Sequence, residues 1–491
     1  MNSRHPPGLY VLFLTEMWER FSYYGMRALL ILFMVGPASK GGLGFNDKMA
    51  AAIYGLYTAG VYLAALPGGW IADRLLGAQR AVWFGGIIIA AGHFTLAIPR
   101  LETFFLGLVF IVLGTGLLKP NISVLVGRLY PEGGARRDAG FTIFYMGINL
   151  GALLGPLVCS GLGERVNWHY GFVAAGVGMV IGLAQFRFTR QQPGVGDRSE
   201  REIAGGRPGD ITWRRDWGLV ISALIALFSI VALAMARVIV IHPIWLARSA
   251  AFVIAGLAVI YFAWVLVMGR LNATEMRRVI VIAVLFLASA LFWAGYEQAG
   301  SSLNLFADRH TTRSIATLNL TLPTGWFQSV PALFVIIFAP VAAAGWTSLA
   351  RRGVVPSLAV KFGCGLLLLA AGFLVVAFAS KRALTSGPVM PGWLIATYFF
   401  HVWGELLISP VGLSSVTKLA PSRIVGQMMG IWFLATSLGN LLAGLFAGEV
   451  SGDNAAAMPT RFLQVVMFSS AIGLLLLLCA KPIRRLAAGA E

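Results

Sequence analysis

The chain has 491 residues, of which 58% are hydrophobic and only 12% are charged. This composition excludes an ordinary soluble globular domain, because apolar runs of 18 or more residues recur along the whole chain. The formal net charge of +18 does not indicate nucleic-acid binding, since the basic residues lie between the apolar runs, where a membrane topology places them.

The apolar runs predict an all-α membrane protein with fourteen transmembrane helices, because about 20 apolar residues span the hydrocarbon core of a bilayer. The predicted spans are 9–34, 49–72, 81–98, 104–127, 139–162, 168–188, 217–236, 244–268, 277–299, 324–346, 355–380, 392–414, 425–448 and 461–480. An even number of spans places both termini on one side of the membrane. The excess of Lys and Arg in the termini and alternate loops predicts that this side is the cytoplasm.

The first predicted helix carries charges where lipid should exclude them: Glu16, Glu19, Arg20 and Arg27. At about 100° per residue, the four charges and Tyr23 share roughly a 100° stripe of the helix surface. An isolated charge costs about 2.5–3.5 kcal/mol near the centre of a membrane helix. The stripe is therefore expected to face protein or a watery cavity. It predicts pathway residues, with a buried structural ion-pair cluster as the alternative.

The order of the spans predicts six helices, a spacer of two and six more. The loop 189–216 is polar and rich in arginine, and the two spans after it contain no buried charge. The predicted domains are a six-helix bundle over 1–190, a cytoplasmic linker with two extra helices over 191–270, and a second six-helix bundle over 271–491. Such halves are common in secondary transporters, whose substrate sites lie near the membrane midplane.

Few charges lie in the other spans. Lys119 lies deep in its span, directly before Pro120, which predicts a binding or coupling role rather than a surface position. Lys361 lies near a helix end, where a lysine reaches the interface. Glu297 follows Trp293 by one helical turn.

Glu405 lies four residues after His401 and four before Ser409. A proton relay through His401 is one interpretation, and a packing histidine is the favoured one.

The acids and bases in the spans are equal in number: Glu16, Glu19, Glu297 and Glu405 against Arg20, Arg27, Lys119 and Lys361. Protonation of an acid breaks its ion pair, as a proton-driven switch requires. Separated acids and bases also suit a substrate with an amine and a carboxylate, and aromatic residues would supply apolar walls.

Several stretches resemble signatures of the proton-dependent oligopeptide transporter family, a branch of the major facilitator superfamily. Glu16-x-x-Glu19-Arg20-Phe21 is followed by Tyr23-Tyr24-Gly25, and the resemblance extends over GGWIADRLLG, GTGLLKPN, FTIFYMGINLGALLGP, FWAGYEQAGSSLNLF and GELLISPVGLSSVTKLAP. It covers essentially the whole chain, and the extra pair of helices matches bacterial members. The resemblance implies the major facilitator fold.

The resemblance also implies roles for matching positions. Arg20 and Lys119 would bind the peptide carboxylate, and Glu405 and Asn149 would receive the amine. Protonation of Glu297 would loosen a gate pair with Arg27. The implied proton-coupling residues are Glu16, Glu19, Arg20, Arg27 and Glu297. The implied peptide-binding residues are Arg20, Tyr24, Arg27, Tyr62, Lys119, Asn149, Trp293, Glu405, Ser409 and Trp432.

Two positions depart from the family pattern. Pro331 stands where relatives generally have an asparagine that helps to hold the peptide amine, and Gly55 stands where animal members have a histidine that handles protons. Pro331 is therefore expected to alter amine recognition relative to the family pattern, and proton coupling is expected to depend on the acids.

The predicted function is proton-coupled import of di- and tripeptides by alternating access in a bacterial cytoplasmic membrane. The expected protein is a functional monomer without metal or organic cofactor, and the proton gradient supplies the energy. The alternative is proton-coupled transport of another small solute, such as nitrate, a drug or an amino acid. An intramembrane enzyme is disfavoured, because the chain has no H-E-x-x-H or G-x-S-x-G motif and its six histidines do not cluster.

Overall fold

The computed structural model describes residues 5–132, 134–189, 211–315, 319–450 and 455–487, which are almost entirely helical. The α-helices are α1 (Pro7–Val35), α2 (Asp47–Ile71), α3 (Ala78–Leu96), α4 (Leu101–Arg128), α5 (Gly134–Arg165), α6 (Trp168–Thr189), α7 (Ile211–Met235), α8 (Pro243–Met268), α9 (Ala273–Tyr296), α10 (Ser302–His310), α11 (Ser329–Arg351), α12 (Leu358–Ser386), α13 (Gly392–Leu419), α14 (Val425–Val450), α15 (Met458–Leu478) and α16 (Ala480–Leu486). Two-residue strands β1 (Ser314–Ile315) and β2 (Leu320–Thr321) form an antiparallel hairpin.

The predicted all-α membrane fold is confirmed, because each of the fourteen predicted spans overlaps one long helix. Within the described ranges, twelve helical segments are long and apolar enough to cross a membrane by length and composition. The two long helices outside that set are α1, which carries the four charges, and α3, which has Gln79 and Arg80 in its first turn.

Short helical turns connect several long helices. A π-helical turn over Ala72–Leu76 follows α2. A 3₁₀ turn over Glu297–Gly300 directly follows α9, and another over Thr324–Gln328 directly precedes α11. The sequence predicted neither α10 nor the hairpin. Helix α7 begins at Ile211, inside the stretch that was predicted as a loop.

By their contacts, the helices form two compact units. Unit 1 comprises Met1–Phe33 and Gly60–His242, and unit 2 comprises Met34–Ala59 and Pro243–Glu491. The two extra helices fall into different units, α7 in unit 1 and α8 in unit 2. The division into six, two and six helices stays a prediction.

In unit 1, small residues bring α1 and α5 into close contact. A Cβ atom added at Gly151 of α5 would lie 2.8 Å from Arg20 Cβ, so only glycine permits this approach. Membrane helices often pack through small residues, because lipid provides little hydrophobic drive for their association. The glycine therefore fixes the charged stripe of α1 against a neighbouring helix.

Unit 1 also contains a polar contact that the sequence did not predict. Asp216 of α7 is 4% exposed, and its carboxylate lies 3.3 Å from a guanidinium nitrogen of Arg74 in the π-helical turn. Helix α7, whose span over 217–236 was predicted as an apolar spacer, thus carries a buried acid in its second turn.

In unit 2, the first half of α2 packs on α14. A Cβ atom at Gly444 would lie 2.6 Å from Gly55 Cα, and Ser437 Oγ donates a hydrogen bond of 3.1 Å to the Ala59 carbonyl. Gly55, noted above as a departure from the animal pattern, therefore serves helix contact in this structure. Asp47 at the start of α2 forms a bidentate ion pair with Arg309 of α10, with distances of 2.6 and 2.8 Å.

Candidate functional site

The charges of α1 form a buried cluster in unit 1. Glu16, Glu19 and Arg20 are at most 3% exposed. Arg20 Nε lies 3.1 Å from a Glu16 carboxylate oxygen, and Arg20 also forms an ion pair with Glu19. Two carboxylates therefore share one guanidinium group, as the predicted stripe requires.

Aromatic rings lie against the arginines of the same helix. The Arg20 guanidinium carbon is 5.3 Å from the centre of the Tyr23 ring, and that of Arg27 is 5.8 Å from the Tyr24 ring. Arg27 is 8% exposed. Cation–π attraction stabilises guanidinium groups at this distance, most strongly where water is excluded.

Lys119 extends the cluster from α4. Its Nζ atom lies 3.8 Å from the centre of the Tyr62 ring on α2, and its charge acts electrostatically on Glu16. Lys119 thus contacts Tyr62 and acts on Glu16, although the three residues come from three helices.

Asn121, which the sequence analysis did not single out, holds this part of α4 in place. Its amide group donates to the Leu117 carbonyl at 2.7 Å and to the Gly68 carbonyl of α2 at 3.4 Å. The side chain is 2% exposed. The only available signal was its position directly after the Lys119–Pro120 pair.

Asn149 of α5 belongs to unit 1 and is 7% exposed. Its amide group donates a hydrogen bond of 3.0 Å to the Tyr145 carbonyl of the same helix. Because this bond lies within one helix, it does not bear on substrate binding. The role of Asn149 in amine recognition stays a prediction.

In unit 2, the polypeptide breaks its helical course at Glu297. Helix α9 ends at Tyr296, the turn Glu297–Gly300 follows, and Ser301 (φ −124°, ψ −95°) separates that turn from α10. Glu297 is 5% exposed. The predicted acid therefore lies at a helix break rather than within a regular helix.

Two glutamine side chains stabilise this break. Gln298 accepts a hydrogen bond of 2.8 Å from Ser302 Oγ, which joins the turn to α10. Gln328 donates to the Ala299 carbonyl and so connects the break to the beginning of α11. Pro331 is the third residue of α11, where the first helical turn has no intrahelical hydrogen bond to lose.

Glu405 of α13 accepts a hydrogen bond from the Tyr296 hydroxyl group, and the charge of Glu297 acts on it as a like charge. Tyr296 was not among the predicted site residues, and its position beside Glu297 was its one signal in the sequence. Ser409 is partly buried one helical turn after Glu405. Unit 2 therefore places two acids close enough to interact electrostatically.

The remaining predicted residues of unit 2 are aromatic. Trp293 contacts Phe292 and Tyr296 edge-on, with ring centres 5.6 and 5.5 Å apart. Trp432 is 6% exposed and packs edge-on against Phe362, with ring centres 6.3 Å apart. These contacts fit both packing and the predicted side-chain pockets.

His401 packs between aromatic rings, 4.9 Å from Phe373 and 6.4 Å from Tyr296 by ring centres. Lys361 is the fourth residue of α12, with its Nζ atom 4.9 Å from the Trp346 ring. The position of His401 agrees with its interpretation as a packing residue, and the position of Lys361 agrees with its interpretation as a lysine at a helix end. The predicted pair of Arg27 and Glu297 joins a residue of each unit and stays a prediction.

Metal binding has no support in the part of the chain that the structure describes. There, no group of three or more His, Cys, Asp or Glu side chains is placed to hold a metal ion. The absence of a cofactor stays an expectation from the sequence.

Comparison with known proteins gives the same family in each case. A family model described as the POT family matches residues 79–197 and 250–459. The peptide transporter YePEPT of Yersinia enterocolitica is 43% identical over 98% of this chain and 95% of its own length. A di-/tripeptide transporter of Lactococcus lactis is 38% identical over 98% of this chain and 96% of its own. A crystal structure of a peptide transporter POT in complex with sulfate has a TM-score of 0.90 at 39% identity, over 99% of this chain and 96% of that one.

Proposed function

Because the chain belongs to the POT family, as its motifs predicted, we propose that it imports dipeptides and tripeptides by proton-coupled alternating access. The chain has the major facilitator fold. The relatives described above are named as peptide transporters and as a di-/tripeptide transporter. The observation that carries the proposal is the buried charge cluster of α1 with Lys119 beside it.

The cations of unit 1 fit the carboxylate end of a peptide. Arg20 and Lys119 both act on Glu16, so an incoming carboxylate competes with Glu16 for the same positive charges. Protonation of Glu16 removes that competition. Proton binding and peptide binding therefore favour each other, and the coupling is reciprocal by thermodynamic linkage.

The acids of unit 2 fit the amine end of a peptide. The charge of Glu297 acts on Glu405 as a like charge, and a substrate ammonium group beside these acids would offset it. Asn149 stays a proposed amine-binding residue, and Glu297 a proposed gate partner of Arg27. Nitrate would need only the positive charges of unit 1, so the pair of acids favours a zwitterionic substrate.

The cellular setting follows from the family and the sequence. The chain is a multi-pass membrane protein of a transporter family. Both termini are proposed to be cytoplasmic, in a bacterial inner membrane, because Lys and Arg are enriched in the corresponding loops. The proton gradient is the proposed energy source, and one chain is the proposed functional unit.

Uptake by liposomes tests the proposed function. Purified protein is reconstituted, and uptake of labelled dialanine is measured with and without an inward proton gradient. We expect accumulation above the external concentration only with the gradient, with competition by unlabelled di- and tripeptides. Gradient-driven accumulation of labelled nitrate or alanine, with no accumulation of labelled dialanine, would instead support the other-solute alternative.

The hydroxyl group of Tyr296 is expected to hold Glu405 in position for the amine. Tyr296→Phe removes one hydrogen bond to a carboxylate, which is worth about 1.5–3 kcal/mol, so the KM for dialanine should rise roughly tenfold or more. Uptake kinetics measure this change. Tyr261→Phe is the matched control, since its hydroxyl group bonds to Gln427 rather than to a site residue. Equal KM values for wild type and Tyr296→Phe would exclude the positioning role.

A further inference from the structure

A groove of about 470 Å³ opens on the side of unit 2, and none of the predicted site residues lines it. We call it the lateral groove. Its walls come from α8, α9, α14 and α15, and they are formed largely by apolar side chains, including Ile244, Leu291, Phe446 and Phe468. Phe468 is 63% exposed, so the groove faces the surroundings of the protein rather than its core.

Charged side chains lie at one end of the lateral groove. Lys48 is the second residue of α2 and Arg248 is the sixth of α8, and both are exposed. Glu449 also lines this end, but its carboxylate lies 3.8 Å from a guanidinium nitrogen of Arg461. The rim of the groove therefore has an excess of positive charge.

Ile244 lies beside the rim, and the apolar walls continue away from the rim along α9, α14 and α15. Helices α2 and α8 begin at the rim, and α14 ends there at Val450, so Lys48 and Glu449 lie at helix ends and Arg248 lies in the second turn of α8. The groove extends from Gln298, in the turn after α9, back to Leu291 of α9, a distance of roughly 10 Å at 1.5 Å per residue. In a membrane helix, such ends lie at the depth of lipid headgroups, and residues further in lie at the depth of acyl chains.

We propose that the lateral groove binds an anionic phospholipid, with an acyl chain along the apolar walls and the phosphate and headgroup at Lys48 and Arg248. The apolar length below a cationic rim matches such a lipid in both charge and depth. A soluble anion would make no use of the apolar walls, and an uncharged lipid would make no use of the cations. A transmembrane helix of a partner would bury apolar surface without neutralising the rim.

Such a lipid would connect the extra helix α8 to the rest of unit 2. Ile244 and Arg248 of α8 line the same groove as Phe446 of α14 and Phe468 of α15. One bound molecule would therefore contact three helices at once, and we expect it to increase the thermal stability of the protein.

Native mass spectrometry tests the proposal. The detergent-purified full chain is delipidated and incubated with dioleoylphosphatidylglycerol or with dioleoylphosphatidylcholine. We expect wild type to retain one phosphatidylglycerol molecule about tenfold more strongly than phosphatidylcholine, because two cations at headgroup depth attract an anionic lipid. The same lipid should raise the melting temperature more than phosphatidylcholine does.

The variant Lys48→Gln/Arg248→Gln should lose this preference and this one bound lipid, while the protein stays folded. The control Arg351→Gln/Arg352→Gln removes two exposed arginines at the end of α11. This control should keep the preference for phosphatidylglycerol and the one bound lipid. Leu445→Trp fills the lateral groove and should lower the occupancy of both lipids. Equal retention of the two lipids by wild type, or an unchanged preference in the Lys48/Arg248 variant, would overturn the proposal.

Discussion

Replacement of Lys119 by methionine is expected to weaken the binding of dialanine at least about thirtyfold, because removal of one partner from a buried charge pair costs roughly 2–5 kcal/mol. Methionine keeps most of the apolar volume of lysine and removes only the charge that acts on Glu16. The concentration dependence of labelled dialanine uptake into liposomes measures the change. The loss should be much smaller for a dialanine amide, which has no carboxylate to bind.

Lys361→Met provides a matched control for this experiment. Lys361 also contacts an aromatic ring, that of Trp346, with a distance of 4.9 Å, but it lies in the first turn of its helix. Its replacement should leave the affinity for dialanine nearly unchanged. An unchanged affinity in Lys119→Met would show that Lys119 does not bind the peptide carboxylate.

Replacement of Glu297 by glutamine is expected to abolish gradient-driven accumulation of dialanine while exchange across the membrane continues. Glutamine has the shape of a protonated glutamate, so the helix break between α9 and α10 should persist, but the side chain no longer gains and loses a proton. Uphill uptake under an imposed pH gradient and counterflow without a gradient are measured on the same liposomes. Uphill uptake should fall to background, and counterflow should remain.

Glu275→Gln is the matched control, since Glu275 lies at the other end of α9 and pairs with Arg423 at 2.8 Å. An exposed ion pair of this kind contributes about 0–1 kcal/mol, so both activities should survive its loss. Full uphill accumulation by Glu297→Gln would rule out its role in proton coupling.

The positions of the long helices could be predicted from the sequence, because an apolar run of sufficient length has few alternatives in a membrane. The break after Tyr296 could not. It depends on hydrogen bonds between Gln298 and Ser302 and between Gln328 and Ala299, and the second joins residues that are 29 positions apart. The ion pair of the buried Asp216 with the partly exposed Arg74 spans 142 positions, so the local sequence pattern gave no sign of it.

The candidate site was predictable to different degrees for similar reasons. The stripe from Glu16 to Arg27 follows from helical spacing alone, and Lys119 was conspicuous because charges are rare in membrane spans. Tyr296 was missed, because a tyrosine in an apolar helix is usually a packing residue and its partner Glu405 lies 109 positions away. Asn121 was missed because its amide group bonds to backbone carbonyls, one of them on another helix.

Peptide-driven proton movement tests most directly whether buried acids and bases exchange their partners for a proton and the charged ends of a peptide. Liposomes with a trapped pH-sensitive dye and equal pH on both sides receive external dialanine, or the same peptide with its amine acetylated and its carboxylate amidated. We expect dialanine to acidify the interior and the blocked peptide to have no effect. Entry of labelled dialanine without acidification, or equal acidification by the blocked peptide, would contradict proton coupling through these charged residues.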